Sequence, residues 1–297
     1  MHVLVTGATG LVGSALIPFL TTEGHRVTRL VRSQAGEGMV RWDPEAGILN
    51  GADVEGLDAV VHLAGENIAG GRWTAAQKAR IRDSRVRGTE LLCETLARLD
   101  QPPKVLVCAS AIGYYGDRGE EALTEADAPG EGFLPEVCRA WEGATEPAAR
   151  KGIRVVNLRF GVVLSARGGA LAKMLLPFRM GVGGVLGSGR QYMSWIALDD
   201  AAGVIHHALV TDALRGPANA VSPQPVTNRE YTKTLGRVLR RPTLFPMPAF
   251  AIRLAFGEMG DALLLSSQRV APRRLEETGY VFRFPDLEGA LRHVLGR

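Results

Sequence analysis

Cysteine is scarce. Cys93, Cys108 and Cys138 are the three in the chain, they show no metal-ligand spacing, and one is left over from any pairing. This excludes a metal knuckle and a disulfide framework, and a reducing compartment is expected. No metal is expected. A run of eighteen apolar residues is also missing, so no membrane contact is expected. An apolar strand starting at residue 3 leaves no room for a signal peptide, which makes the cytoplasm the expected location. Basic residues never reach five or six in succession, and the net charge is +4 over 297 residues; no nucleic-acid partner is expected. The densest basic stretch, Lys78 to Arg87, interleaves Asp83 and apolar residues at helical spacing and reads as a solvated helix face. Repeats and low-complexity tracts are absent. The remaining composition, 46% hydrophobic and 22% charged, is that of a globular chain long enough for a full core.

What the sequence does contain begins at once. The apolar run at residues 2–5 enters Thr6-Gly7-Ala8-Thr9-Gly10-Leu11-Val12-Gly13 and then a helical pattern, the strand–turn–helix context of a dinucleotide site. Gly7 permits the tight turn, Gly10 lets backbone approach a pyrophosphate, and Gly13 lets the helix pack close to the strand. The phosphates are expected on free N–H groups at the positive end of the helix dipole, which makes Gly7, Thr9, Gly10, Leu11, Val12 and Gly13 candidate cofactor residues. A second strand, His25 to Val31, closes with Arg32-Ser33 where an NAD enzyme carries an acidic residue. A guanidinium there suits a 2′-phosphate, so NADP (NADPH) is the expected cofactor; the alternative for Arg32 is an ordinary surface arginine at a strand end.

Met39 to Trp42 reads as a third strand and Asp58 to Gly65 as a fourth, buried on both faces. Its end places Leu63, Ala64 and Gly65 over the cofactor, with Glu66 and Asn67 beyond them toward a substrate; His62, inside the strand, reads as a core histidine. Thr74 is expected to cap a helix to about Leu99. Val105 to Ser110 forms the next strand, emptying into Ala111 to Asp117 and a polar, acidic loop to Gly132. A helix from about Leu134 to Arg150 and a strand from Ile153 to Leu158 follow. This alternation means βαβ units and a parallel sheet.

Seven glycines fall between Ser165 and Gly189. The segment 165–192 reads as a mobile lid loop containing a short helix, Lys173 to Met180, with Arg190 and Trp195 at its edge as candidate substrate contacts. Asp199 is expected to cap a helix to Val210, and Thr227-Asn228-Arg229-Glu230 is a capping box. The expected fold is α/β: a Rossmann-type doubly wound parallel sheet over 1–222, with a small separate C-terminal lobe over 240–297.

The motifs Thr6-Gly7-xx-Gly10-xx-Gly13, Val60 to Gly65, Ser110 to Gly116 and Trp195 to Asp200 occur in the order that resembles extended short-chain dehydrogenases/reductases of the epimerase/dehydratase type. More narrowly, Leu63 to Ile68, Arg72-Trp73-Thr74, Ile81 to Arg85, Gly113 to Asp117 and Leu186 to Gln191 resemble an atypical subgroup, the epimerase-family proteins. Val270 to Leu275 and Gly279 to Phe282 resemble that subgroup's C-terminal domain of unknown function. The resemblance covers essentially the whole chain. It implies a tyrosine–lysine pair on the helix after the acidic loop, a Ser or Thr after the preceding strand, and an asparagine on the long helix. Matched on Glu142, the tyrosine position falls on Leu134 and the lysine position on Cys138. The Ser/Thr position falls on Ala111 or Ser110, and the asparagine position holds Arg85. Arg159 precedes Phe160-Gly161, where the family has a proline near the nicotinamide, and so is a candidate cofactor contact.

Tyr114, Tyr115 and Ser110 remain as candidate catalytic residues, one tyrosine facing the site and the other in the core. A tyrosine with the ordinary pKa of about 10 is phenolate to about one part in a thousand near pH 7. Without a lysine it donates a proton better than it removes one, and reduction of a small carbonyl or sugar-like substrate is expected over oxidation. Cys138 reads as a small buried hydrophobe. Two exposed helices of such a sheet suit a homodimer. The competing class is a non-catalytic NADPH-binding protein that orders a surface for a partner.

Overall fold

The computed structural model describes all 297 residues. The first half comprises β1 (His2–Thr6), α1 (Leu11–Thr22), β2 (Arg26–Val31), β3 (Met39–Arg41), β4 (Ala59–His62), α2 (Ala75–Arg98), β5 (Val105–Ala111), a 3₁₀ turn at Ile112–Tyr115, β6 (Ala122–Leu123), α3 (Phe133–Gly143) and α4 (Glu146–Arg150). The second comprises β7 (Arg154–Phe160), β8 (Val162–Leu164), α5 (Gly169–Arg179), β9 (Tyr192–Met193), β10 (Trp195–Ala197), α6 (Leu198–Val210), β11 (Gly216–Ala220), β12 (Val226–Thr227) and α7 (Asn228–Leu239). A tail follows with α8 (Ala249–Phe256), α9 (Glu258–Gly260), β13 (Arg269–Val270), α10 (Arg273–Glu277) and α11 (Leu287–Leu295).

Seven strands form one parallel sheet in the order β11-β7-β5-β4-β1-β2-β3. The expected α/β architecture is the one observed. Alternation along the strands divides the core in two. Val3 and Val5 of β1, Val61 of β4 and Val107 of β5 pack with Leu16 and Leu20 of α1 and Val204 and Ile205 of α6. Leu4, Val60 and Leu106, one residue out of phase, pack with Leu92 and Leu96 of α2 on the opposite face. Strand order reverses beside β1, so a crevice opens at the carboxyl ends of β1 and β4. No helix is long and apolar enough to cross a membrane.

Two expectations are corrected. The helix expected from Leu134 to Arg150 is two helices, because Pro147 has no N–H to continue the ladder and Thr145 Oγ1 donates to the Glu142 carbonyl at 2.6 Å, closing α3. Ala197, not Asp199, precedes α6; Asp199 sits in its first turn and binds His293 instead. Buried residues of the tail pack into clusters shared with the rest of the chain. Leu275 joins the cluster over α1 and α6, and Leu287, Ala290 and Leu291 join a third cluster with Trp195, Leu175 and Tyr231.

Candidate functional site

The turn after β1 is held shut by its glycines. A Cβ on Gly7, whose φ is +66°, would lie 2.7 Å from the Leu63 carbonyl carbon, and one on Gly13 would lie 2.3 Å from the Gly7 oxygen. The first bond inside α1 runs from Ser14 N–H to Gly10 O at 2.9 Å. The amides of Leu11, Val12 and Gly13 therefore precede the ladder, and no side chain caps this end. A cleft of about 230 Å³ opens there, lined by Thr9, Gly10, Leu11, Ser14, Arg167, Gly168 and Leu198. These residues fit a diphosphate: bare backbone, a positive helix end and one exposed guanidinium.

The β4 end is fixed to this turn through Thr6 and His62. Thr6 Oγ1 accepts from the amides of Leu63 at 3.0 Å and Ala64 at 3.1 Å, and donates to His62 Nδ1 at 2.8 Å. Thr89 spends its proton on the Arg85 carbonyl and so accepts from His62 Nε2 at 3.0 Å. That circuit requires a neutral imidazole, and burial pulls its pKa down to about 4. His62 is thus a core histidine that orients Leu63, Ala64 and Gly65. Arg32 is exposed one residue past β2, and the register that pairs Val31 with Arg41 brings a second exposed guanidinium to the same sheet corner.

At the carboxyl end of β5 the candidates form a buried network. Ser110 Oγ donates to Glu142 Oε1 at 2.7 Å. Arg159 donates to both oxygens of that carboxylate at 2.8 Å and, through Nη1, to the Tyr115 hydroxyl at 3.0 Å. Tyr115 donates in turn to Asn219 Oδ1 at 2.8 Å. Its side chain is fully buried, and burial pushes its pKa up to about 12. Tyr115 is therefore the core tyrosine. Tyr114 is half-buried, its ring lies 3.4 Å from the Arg159 guanidinium carbon, and no protein group bonds its hydroxyl. Arg159, expected beside a nicotinamide, has its N–H groups on Glu142 and Tyr115, and so supports the tyrosine turn instead.

Residues 3–220 match the NAD dependent epimerase/dehydratase family, and residues 247–294 match a domain of unknown function. The chain belongs to the NAD dependent epimerase/dehydratase family. An epimerase family protein of Mycobacterium bovis is 44% identical over 99% of this chain and 98% of its own length. The crystal structure of human epimerase family protein SDR39U1 with NADPH matches at a TM-score of 0.91 and 37% identity, covering 100% of this chain and 99% of that one. A nucleoside-diphosphate sugar epimerase from Corynebacterium glutamicum matches at a TM-score of 0.84 and 40% identity; this chain covers 58% of that longer one.

Leu134 and Cys138, the residues that the resemblance assigns to the tyrosine and lysine positions, both pack on the 3₁₀ turn. A Cβ on Gly113 would meet Leu134 Cβ at 3.3 Å and Cys138 Sγ at 3.9 Å. The Cys138 thiol is buried, points to the Ala111 carbonyl, and has its pKa pushed up to about 12 by that burial; it is a hydrophobe, not a nucleophile.

On the substrate side the candidates separate. Glu66 is half-buried and Asn67 exposed just past β4. Trp195 presents nothing to a ligand: it is fully buried and its Nε1 donates to the Gln224 carbonyl at 3.0 Å. Arg190 lies at the surface, 3.3 Å from Glu120. Arg167 escapes the sequence reading, whereas Arg85 is named in it at the asparagine position. Arg167 lines the cleft at the start of α1; the signal is Gly168-Gly169, whose added Cβ atoms would each lie 3.2 Å from Leu11 side-chain carbons, so this loop rests on the first turn of α1. Arg85 belongs to the stretch read as a solvated face, yet shares a helix face with Ile81, Thr89 and Leu92, all fully buried.

Proposed function

We propose that this protein is an NADPH-dependent reductase of a small carbonyl compound, with Tyr114 as the proton donor. The observation that carries the reading is the uncapped α1 end facing a cleft with Arg167, together with NADPH in the human relative's structure at 37% identity. When bound, NADPH supplies hydride to the carbonyl carbon. Leu11, Val12 and Gly13 offer amides to its diphosphate, and Arg167 offers charge. Arg32 and Arg41, two exposed guanidinium groups at one sheet corner, would hold an adenosine 2′-phosphate, which favours NADP over NAD.

The direction follows from the acid–base groups. The Tyr114 hydroxyl, which no protein group bonds, would give a proton to the carbonyl oxygen as the carbonyl carbon takes up hydride, and the phenol would regain its proton from water. Abstraction of a proton from an alcohol, the first requirement of a sugar epimerase, would lack the tyrosine–lysine pair whose expected positions hold Leu134 and Cys138.

Purified protein is titrated with NADPH and NADH, then assayed with a panel of aldehydes and ketones by loss of the reduced nicotinamide absorbance. Tyr114→Phe is expected to lower turnover about 100-fold or more with NADPH affinity unchanged. Tyr115→Phe removes two buried hydrogen bonds, and is expected to cost roughly 1–2 kcal/mol of stability while turnover stays within a few-fold. Saturable NADPH binding with no turnover across the panel would replace the reductase with a cofactor-binding interaction protein.

A further inference from the structure

We propose that Arg85 is the anion-receiving group of this site, so that the compound reduced there carries a carboxylate or phosphate near its carbonyl; this rests on the reductase reading above. Arg85 stands on α2 four residues after Ile81 and four before Thr89, and this spacing turns its side chain toward the sheet. Nη1 donates to the carbonyl oxygens of Glu66 and Ile81, each at 3.0 Å. Nε and Nη2, which form the side-on fork of a guanidinium, have no acceptor in the protein, and no carboxylate is paired with the charge. Glu142, the buried carboxylate of this region, is already taken up by Arg159 and Ser110.

Gly65 lets backbone lie close against that guanidinium. A Cβ at residue 65 would lie 3.3 Å from Arg85 Cζ and 3.4 Å from Nη2, so the guanidinium rests over bare backbone just past the carboxyl end of β4, where the crevice begins. Trp141 of α3 packs against it with the ring centroid 5.0 Å from Cζ. Two carbonyls and one aromatic ring thus fix the orientation while one edge stays free. A planar fork held in this way matches two oxygens of a carboxylate or phosphate, whereas an uncharged carbonyl engages one donor and leaves the half-buried charge uncompensated.

The test uses the full chain saturated with NADPH and follows nicotinamide fluorescence during titration with oxamate, inorganic phosphate and uncharged acetamide. At least one anion is expected to bind about tenfold or more tightly than acetamide; saturation by oxamate assigns a carboxylate, saturation by phosphate a phosphoryl group. Arg85→Met is expected to weaken that anion by about 10- to 100-fold, and Arg85→Lys by less, since it keeps the charge and loses the fork. NADPH affinity stays within about twofold in both variants. The inference is overturned if neither anion exceeds acetamide on the unaltered protein, or if anion and NADPH affinities fall together in Arg85→Lys. Should Arg85→Met not fold, Arg85→Lys and the unaltered protein decide. Absence of NADPH binding to the unaltered protein overturns the reductase reading itself, and this inference with it.

Discussion

At His62 the proton inventory is settled by two threonines. Each has one proton to give, Thr6 to Nδ1 and Thr89 to the Arg85 carbonyl, so the imidazole must carry its hydrogen on Nε2 and cannot accept a second without losing the bond from Thr6. The folded-state pKa of about 4 lies below the ordinary 6.5 because the ring is fully buried. Between these values the unfolded chain holds more protons, so stability rises with pH. The contribution is complete above about pH 6.5 and is lost as pH falls toward about 4, on the order of 3 kcal/mol in all. His2, His25 and His207 are lowered as well and add slope of the same sign. His62→Gln supplies an acceptor and a donor without the titration. Urea unfolding from pH 7 to pH 4.5 is expected to show a shallower loss of stability in His62→Gln than in the unaltered protein; parallel curves would place the pH dependence elsewhere.

At the scale of elements, Gly13 separates two effects by sign. In a helix interior alanine is favoured over glycine by roughly 1 kcal/mol. The Cβ of Gly13→Ala would lie 2.3 Å from the Gly7 oxygen, a backbone atom that cannot turn aside. Overpacking of this kind costs about 1–3 kcal/mol, so a net loss of stability is expected in thermal melts, with NADPH affinity falling as α1 is pushed from β1. A gain in stability would mean that the close approach does not exist. The same glycines were legible in the sequence because a turn of this kind leaves fixed spacing, and the buried strands were legible as short apolar runs. The caps of Thr74 and Thr227 were legible for a similar local reason, and both side chains accept as expected, from Gln77 N and Glu230 N. What local pattern does not carry is pairing at a distance. The two-residue strands β6 and β13 meet across 145 or more residues, Trp195 is buried by α5, α7 and α11 rather than by its neighbours, and Ser110, Glu142, Arg159, Tyr115 and Asn219 come from five separate segments. An inward Arg85 was one alternative open in the sequence, and the spacing of Ile81, Thr89 and Leu92, all fully buried, is the local signal for it.

At the scale of the whole molecule, the tail is strapped across the crevice rim rather than hung beside it. Arg72 Nη2 donates to the Leu254 carbonyl at 2.6 Å, and Lys78 pairs with Glu258 at 2.9 Å. Lys173 of α5 donates to the Ala69 carbonyl at 2.7 Å. The glycines of the 165–192 segment serve contact as much as bending: a Cβ on Gly184 would lie 1.9 Å from the Phe245 oxygen, so this segment is fitted against the start of the tail. The tie with most bonds is Asp200 in the first turn of α6. It is fully buried, and its carboxylate accepts from the Tyr280 hydroxyl at 3.0 Å and from the amides of Arg283 at 2.8 Å and Phe284 at 2.9 Å. Asp200→Ala strands those donors, a loss of about 3 kcal/mol or more. Because Leu275 and Leu287 are built into clusters that also hold α1, α6 and α7, the penalty is expected in the unfolding of the entire chain. Urea denaturation of Asp200→Ala should keep a single transition with a lower midpoint. An independent lobe would instead give an early step confined to the tail, with proteolytic cleavage between residues 240 and 247 and the transition of the sheet left where it was.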